Sequence, residues 1–89
     1  MHEASLIKNL IKQIEKIATE EKASRVTQVS VRLGALSHFT KEHFQEHFDE
    51  ARKGTVAENA QLEAVLLTDL NDPQAQNVIL ESIEIERDR

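Results

Sequence analysis

Cysteine, tryptophan and tyrosine are absent from these 89 residues, glycine occurs twice and proline once. Without cysteine there is no disulfide, no thiolate metal site and no cysteine nucleophile. A chain with no cysteine also fits a reducing, cytoplasmic setting. The two glycines, at positions 34 and 54, are too far apart for a glycine-rich phosphate loop. No serine stands in a nucleophile-elbow context. Basic residues number 11 against 16 acidic ones, for a net charge of -5. With no basic cluster, neither DNA nor RNA is expected as a partner. No apolar run reaches the length of a membrane span. Lys8, Lys12 and Glu15 interrupt the N-terminal apolar residues where a signal peptide would be continuous. The length allows one domain with a single modest core.

The residues that are present give a clear order of elements. Ile7, Leu10, Ile11, Ile14, Ile17 and Ala18 recur at helical spacing, with Lys8, Lys12, Gln13, Glu15 and Lys16 opposite them. This spacing predicts a helix over about 4–21, with Glu3 near its positive end. In VTQVSVRLG, Val29, Val31 and Leu33 alternate with Ser30 and Arg32, a strand with one wet face that ends at Gly34. FTKEHF is the strongest helix start: Thr40 is a suitable N-cap, and Phe39 and Phe44 occupy the two ends of a hydrophobic staple. Phe48 and Ala51 continue the buried stripe, and Gly54 stops the helix. QLEAVLLT predicts a second strand with Leu62, Ala64 and Leu66 inward, and Asn71-Asp72-Pro73 a turn. In NVILESIEIE, Val78 and Leu80 share a face, while Ile83 and Ile85 resume out of phase, which predicts a bulge near Glu81–Ser82. The fold class that follows is α+β in the order α-β-α-β-β, with both helices on one face of a three-stranded sheet.

Few residues point to chemistry. Glu84 and Glu86 alternate on the last strand as a solvated face does. The chain is therefore not expected to be an enzyme. His43 and His47 are four apart on the second helix, so both rings can reach one ion, with Glu50 three residues further on. They sit at the boundary of the apolar stripe and lack a third ligand nearby, which describes a polar helix flank. The other feature is the opening Met1-His2-Glu3. A free α-amine, the His2 amide nitrogen and the His2 Nδ1 can close consecutive chelate rings. Ni(II) and Cu(II) favour square-planar nitrogen sets of this kind, whereas Zn(II) prefers a tetrahedron. The Glu3 amide or carboxylate can offer the fourth position.

Taken together, MHEASLIKNLI, VSVRLGALSHFTKEHF, ARKGTVAENAQLE and ILESIEIE resemble the HypA/HybF family of hydrogenase nickel-incorporation proteins over nearly the whole chain. The opening MHE, the run G-T-x-A-E-x-A-x-L-E and the ending S-I-E-x-E carry the resemblance. It implies a nickel domain made of a three-stranded mixed sheet flanked by two helices. It also implies Ni(II) at the amino terminus, with His2 as the side-chain ligand, main-chain nitrogen from Met1, His2 and Glu3, and Glu3 modulating the site. The family's zinc domain, with two CxxC pairs, has no counterpart here. A short loop at about 69–77 stands in its place, no structural zinc is expected, and the two flanking strands are expected to form a hairpin. Thr40 stands where the family often has an acidic residue, and Asn59 where it tends to have glycine.

The expected function is that of a nickel metallochaperone for hydrogenase or urease maturation, a monomer or weak homodimer. It would pass Ni(II) to a nickel-handling GTPase or to the hydrogenase large subunit. A metal-independent interaction module on the same fold is the other reading. Val65 and Leu67 fall on the wet face of their strand, where Val26 and Ile79 can extend them, and a contiguous exposed apolar patch marks a contact surface. The alternative is that the 69–77 loop covers them.

Overall fold

Ile7, Leu10, Ile11, Ile14 and Ala18 do close into one buried stripe, none more than 6% exposed. In this computed structural model, which describes residues 2–87 and side chains from Ser5 onward, they line helix α1, His2–Glu20. Strand β1, Arg25–Leu33, helix α2, Lys41–Ala51, and strands β2, Gln61–Leu66, and β3, Val78–Glu86, follow. The helix begins earlier than the apolar spacing predicts, because His2, Glu3 and Ser5 have no large apolar side chain and so leave no periodic signal in the sequence. It ends in a Schellman arrangement. The Ala23 amide donates to the Ala18 carbonyl at 2.8 Å and the Lys22 amide to that of Thr19 at 3.1 Å, with Lys22 left-handed at φ 57°.

Helix α2 starts as its sequence predicts. Thr40 is extended, and its hydroxyl accepts the His43 amide at 3.0 Å. The Phe39 and Phe44 rings meet edge to face with centroids 5.3 Å apart, and both Phe44 and Phe48 are fully buried. After the helix, Arg52 ties the next loop down. Its guanidinium donates to the Ala60 carbonyl, pairs with Asp49 at 3.0 Å and lies over the Phe48 ring. That anchorage seats Ala57 and Ala60 in the core. Left-handed backbone falls at Lys22, His38 and Gly54 and not at Asn59.

The sheet order is β2-β1-β3. Strand β2 lies parallel to β1 in the register Gln28↔Gln61 through Leu33↔Leu66. Strand β3 runs antiparallel to β1 from Arg25↔Glu86 to Leu33↔Val78. The sheet is mixed, as expected, but β2 and β3 do not form the expected hairpin, because β1 stands between them. The reason is visible in β1, where Val26, Val29, Val31 and Leu33 are all buried; such a strand belongs in the centre. A helix linking β1 to β2 allows them to pair in parallel, which leaves the other edge for β3. Residues 67–77 therefore cross over the end of β1. The Gly34 amide donates to the Asn77 carbonyl at 2.9 Å and the Leu36 amide to that of Ala75 at 2.7 Å. At this crossing a Cβ on Gly34 would collide with the Ala75 carbonyl oxygen.

Two register shifts set which side chains enter the core. Between Ser30↔Ser82 and Val31↔Leu80 the extra residue is Glu81, which puts Val78 and Leu80 on the same face as Ile83 and Ile85. Between Val26↔Ile85 and Gln28↔Glu84 it is Thr27. That second bulge turns Val26 inward, to 1% exposure, so Val26 does not extend an exposed patch. The inward set of β2 also differs from expectation. Leu62 and Ala64 are half-buried, but Leu66, at the end of an edge strand, is 43% exposed. Both helices cover the same face, α1 over β3 and α2 over β2.

Candidate functional site

The first candidate site is the head of α1. Met1 lies outside the described residues, as do the side chains of His2 and Glu3. The backbone of His2 and Glu3 forms the first turn of α1. Amide groups in a first turn have no carbonyl four residues back to bond to. The main-chain nitrogens there remain uncommitted to the helix ladder.

The second helix starts at the same end of the molecule. Ile7 and Lys8 line a cavity with His47, Glu50 and Ala51, and Lys8, Ile11 and Lys12 line the next one with Ala51. The two helices therefore run side by side in the same direction, and their N-terminal ends lie together. At that end Thr40 caps α2, a hydroxyl where the resemblance expects an acid. His38 is exposed and left-handed at φ 67°.

His43 and His47 are half-buried, as their boundary position predicts. Their rings, however, face each other, with Nε2 to Nε2 at 2.9 Å and centroids 4.6 Å apart. Phe39 packs against the His43 ring at 5.7 Å. Glu50 does not join them, because its carboxylate pairs with Lys53 at 3.2 Å. Among the described residues no group of three or more His, Asp or Glu side chains is placed to hold one ion.

The wet face of the sheet is the remaining candidate. Register places Val65, Arg32 and Ile79 in one row across the three strands. Val65 is 44% exposed, while Leu67 and Ile79 are half-buried. The loop leaves Val65 open, and its buried residue, Ala75, packs at Gly34. Arg32 pairs with Glu81 at 2.9 Å, and that hydrogen bond and charge hold its guanidinium pKa above the ordinary value. The apolar patch is therefore smaller than the sequence allows, and a salt bridge runs through it.

A family model described as hydrogenase/urease nickel incorporation, metallochaperone, HypA matches residues 1–69. The chain belongs to the HypA family. A HypA hydrogenase maturation factor from Archaeoglobus fulgidus is 43% identical over 63 residues, which make up 71% of this chain and 57% of that protein. The HypA factor from Aquifex aeolicus is 40% identical over 62 residues, 70% of this chain and 54% of its own length. The chain thus spans little more than half of these HypA relatives. The solution structure of the Ni metallochaperone HypA from Helicobacter pylori has the same fold, with a TM-score of 0.82 at 21% identity. That match covers 97% of this chain and 98% of the solved one. It takes in β3, which lies beyond the residues the family model matches.

Proposed function

We propose that this HypA-family chain captures Ni(II) at Met1, His2 and Glu3 and passes it on during hydrogenase or urease maturation. The observation that carries the reading is a family match that begins at residue 1 and so includes the MHE opening. The start of α1 at His2 is compatible with it, since first-turn amide nitrogens are not engaged in helix bonds. The α-amine, the His2 imidazole and the amide nitrogens form the donor set, a chemistry that suits a square-planar Ni(II) ion. Nickel here is cargo: a shallow terminal site gives it up by ligand exchange to a stronger site on a partner. A nickel-handling GTPase and the hydrogenase large subunit are the partners proposed.

The same reading makes residues 1–89 a nickel domain without a zinc module. The span that would hold such a module is a set of short turns. The Asp69 carboxylate accepts the Asn71 amide at 2.9 Å and that of Asp72 accepts the Gln74 amide at 2.8 Å. Such turns need no metal. Nickel titration of chain with a free amino terminus tests the site. The parent develops the yellow band of square-planar Ni(II), and His2→Ala loses it together with at least tenfold in affinity. Equal binding by both proteins removes the assignment. The metal-independent reading draws on the exposed Val65 row, and would survive that result.

A further inference from the structure

The i, i+4 histidines of α2 share no ligand with the proposed N-terminal site, and the spacing of their ring nitrogens matches that of a chelate as well as that of a hydrogen bond. Two nitrogens bound at about 2.0 Å to one ion lie about 2.8 Å apart at a right angle and about 3.3 Å apart at a tetrahedral angle. The Nε2 atoms of His43 and His47 are 2.9 Å apart, close to the right-angle value. Their ring centroids, at 4.6 Å, are nearer than an in-line N–H···N pair of imidazoles would place them. The ring axes are therefore bent off the line joining the nitrogens, as an ion sitting beside that line requires. We propose that His43 and His47 form a second, weaker metal site for Ni(II) or Cu(II), ions that accept nitrogen donors at right angles.

The scaffold holds both rings before any ion arrives. Thr40 fixes the first turn of α2 through the His43 amide, Phe39 packs on the His43 ring, and His47 lines a cavity with Ile7 and Lys8 of α1. Two imidazoles leave the other coordination positions to water, which makes the site weak and quick to exchange. Lys8 lines the His47 cavity and opposes a cation, while Glu50 at the same cavity partly offsets it. The site does not depend on the N-terminal reading, because it shares no ligand with Met1, His2 or Glu3. It occupies the same end of the paired helices as the head of α1.

The test uses the full chain carrying His2→Ala and an acetylated amino terminus, which disables the other site. Ni(II) is added while histidine ring resonances are followed by NMR and the melting temperature is recorded. The expected result is paramagnetic broadening of the His43 and His47 rings at nickel levels that leave His38 sharp, with a rise in melting temperature. His43→Gln and His47→Gln, each shown by circular dichroism to keep the helix, should each lower affinity at least tenfold and abolish the rise. Equal broadening of His38, or unchanged binding in both glutamine variants, overturns the proposal and leaves the contact a hydrogen bond between the two rings.

Discussion

Gly34→Ala is a sharp test of the topology, because opposite outcomes follow from whether the loop crosses β1. Gly34 does not have the positive φ of Gly54, so alanine meets no backbone strain there. On an unobstructed backbone the change would stabilise by about 0.4–1 kcal/mol through the unfolded chain. The structure predicts the reverse. The new methyl would run into the Ala75 carbonyl and would lie 2.7 Å from the Gln74 carbonyl oxygen. These are backbone atoms that cannot rotate away. Overpacking of this kind costs about 1–3 kcal/mol. A loop that lifts clear puts at risk the Gly34–Asn77 and Leu36–Ala75 bonds, each worth about 1 kcal/mol. Net destabilisation of about 2–4 kcal/mol is expected after the unfolded-state gain is subtracted. Urea denaturation with an unchanged m-value is the assay. Ala75→Gly in the same chain should not rescue it, since the collision is with the carbonyl and not with the methyl. A Gly34→Ala chain as stable as its parent would refute the crossing.

Gly54→Ala should cost only about 1 kcal/mol, from the left-handed backbone alone, since nothing lies within 4 Å of its Cβ position. Lys22→Gly should stabilise by about 0.5–1 kcal/mol, because Lys22 holds a left-handed helix terminus that glycine adopts freely; a loss in thermal melting would contradict the Schellman ending. Thr40→Ala should cost about 1 kcal/mol through the lost bond to the His43 amide, read as a lower denaturant midpoint. Val65→Lys should change stability by less than about 0.5 kcal/mol, since Val65 is 44% exposed on the solvent face; unfolding would show that the row is core. His43→Ala with His47→Ala should leave the first nickel equivalent within a few-fold, as calorimetry would report. Affinity at the terminus should fall as pH drops, because binding displaces protons from the amine, the imidazole and the amides.

Residue patterns along the chain specified the elements and several local devices. Apolar spacing specified α1 and α2, because a helix must bury one stripe whatever it packs against. The Phe39–Phe44 staple and the Thr40 cap are contacts within a few residues, so their chemistry is written in FTKEHF. The Glu81 bulge was legible because Val78 and Leu80 fall out of phase with Ile83 and Ile85. The matching shift at Thr27 was not, since one valine before it gives no phase to compare. Strand order was decided only in three dimensions. Pairing is set by which strand can bury the most surface between two neighbours, although the β1-α2-β2 succession already held the hint of a parallel crossover. The metal chemistry divides in the same way. The proposed terminal site rests on the MHE opening, a linear signal that needs no folding to be read. Spacing alone made His43 and His47 a polar flank, and only the folded helix, with Phe39 against the His43 ring, brings the two nitrogens to 2.9 Å.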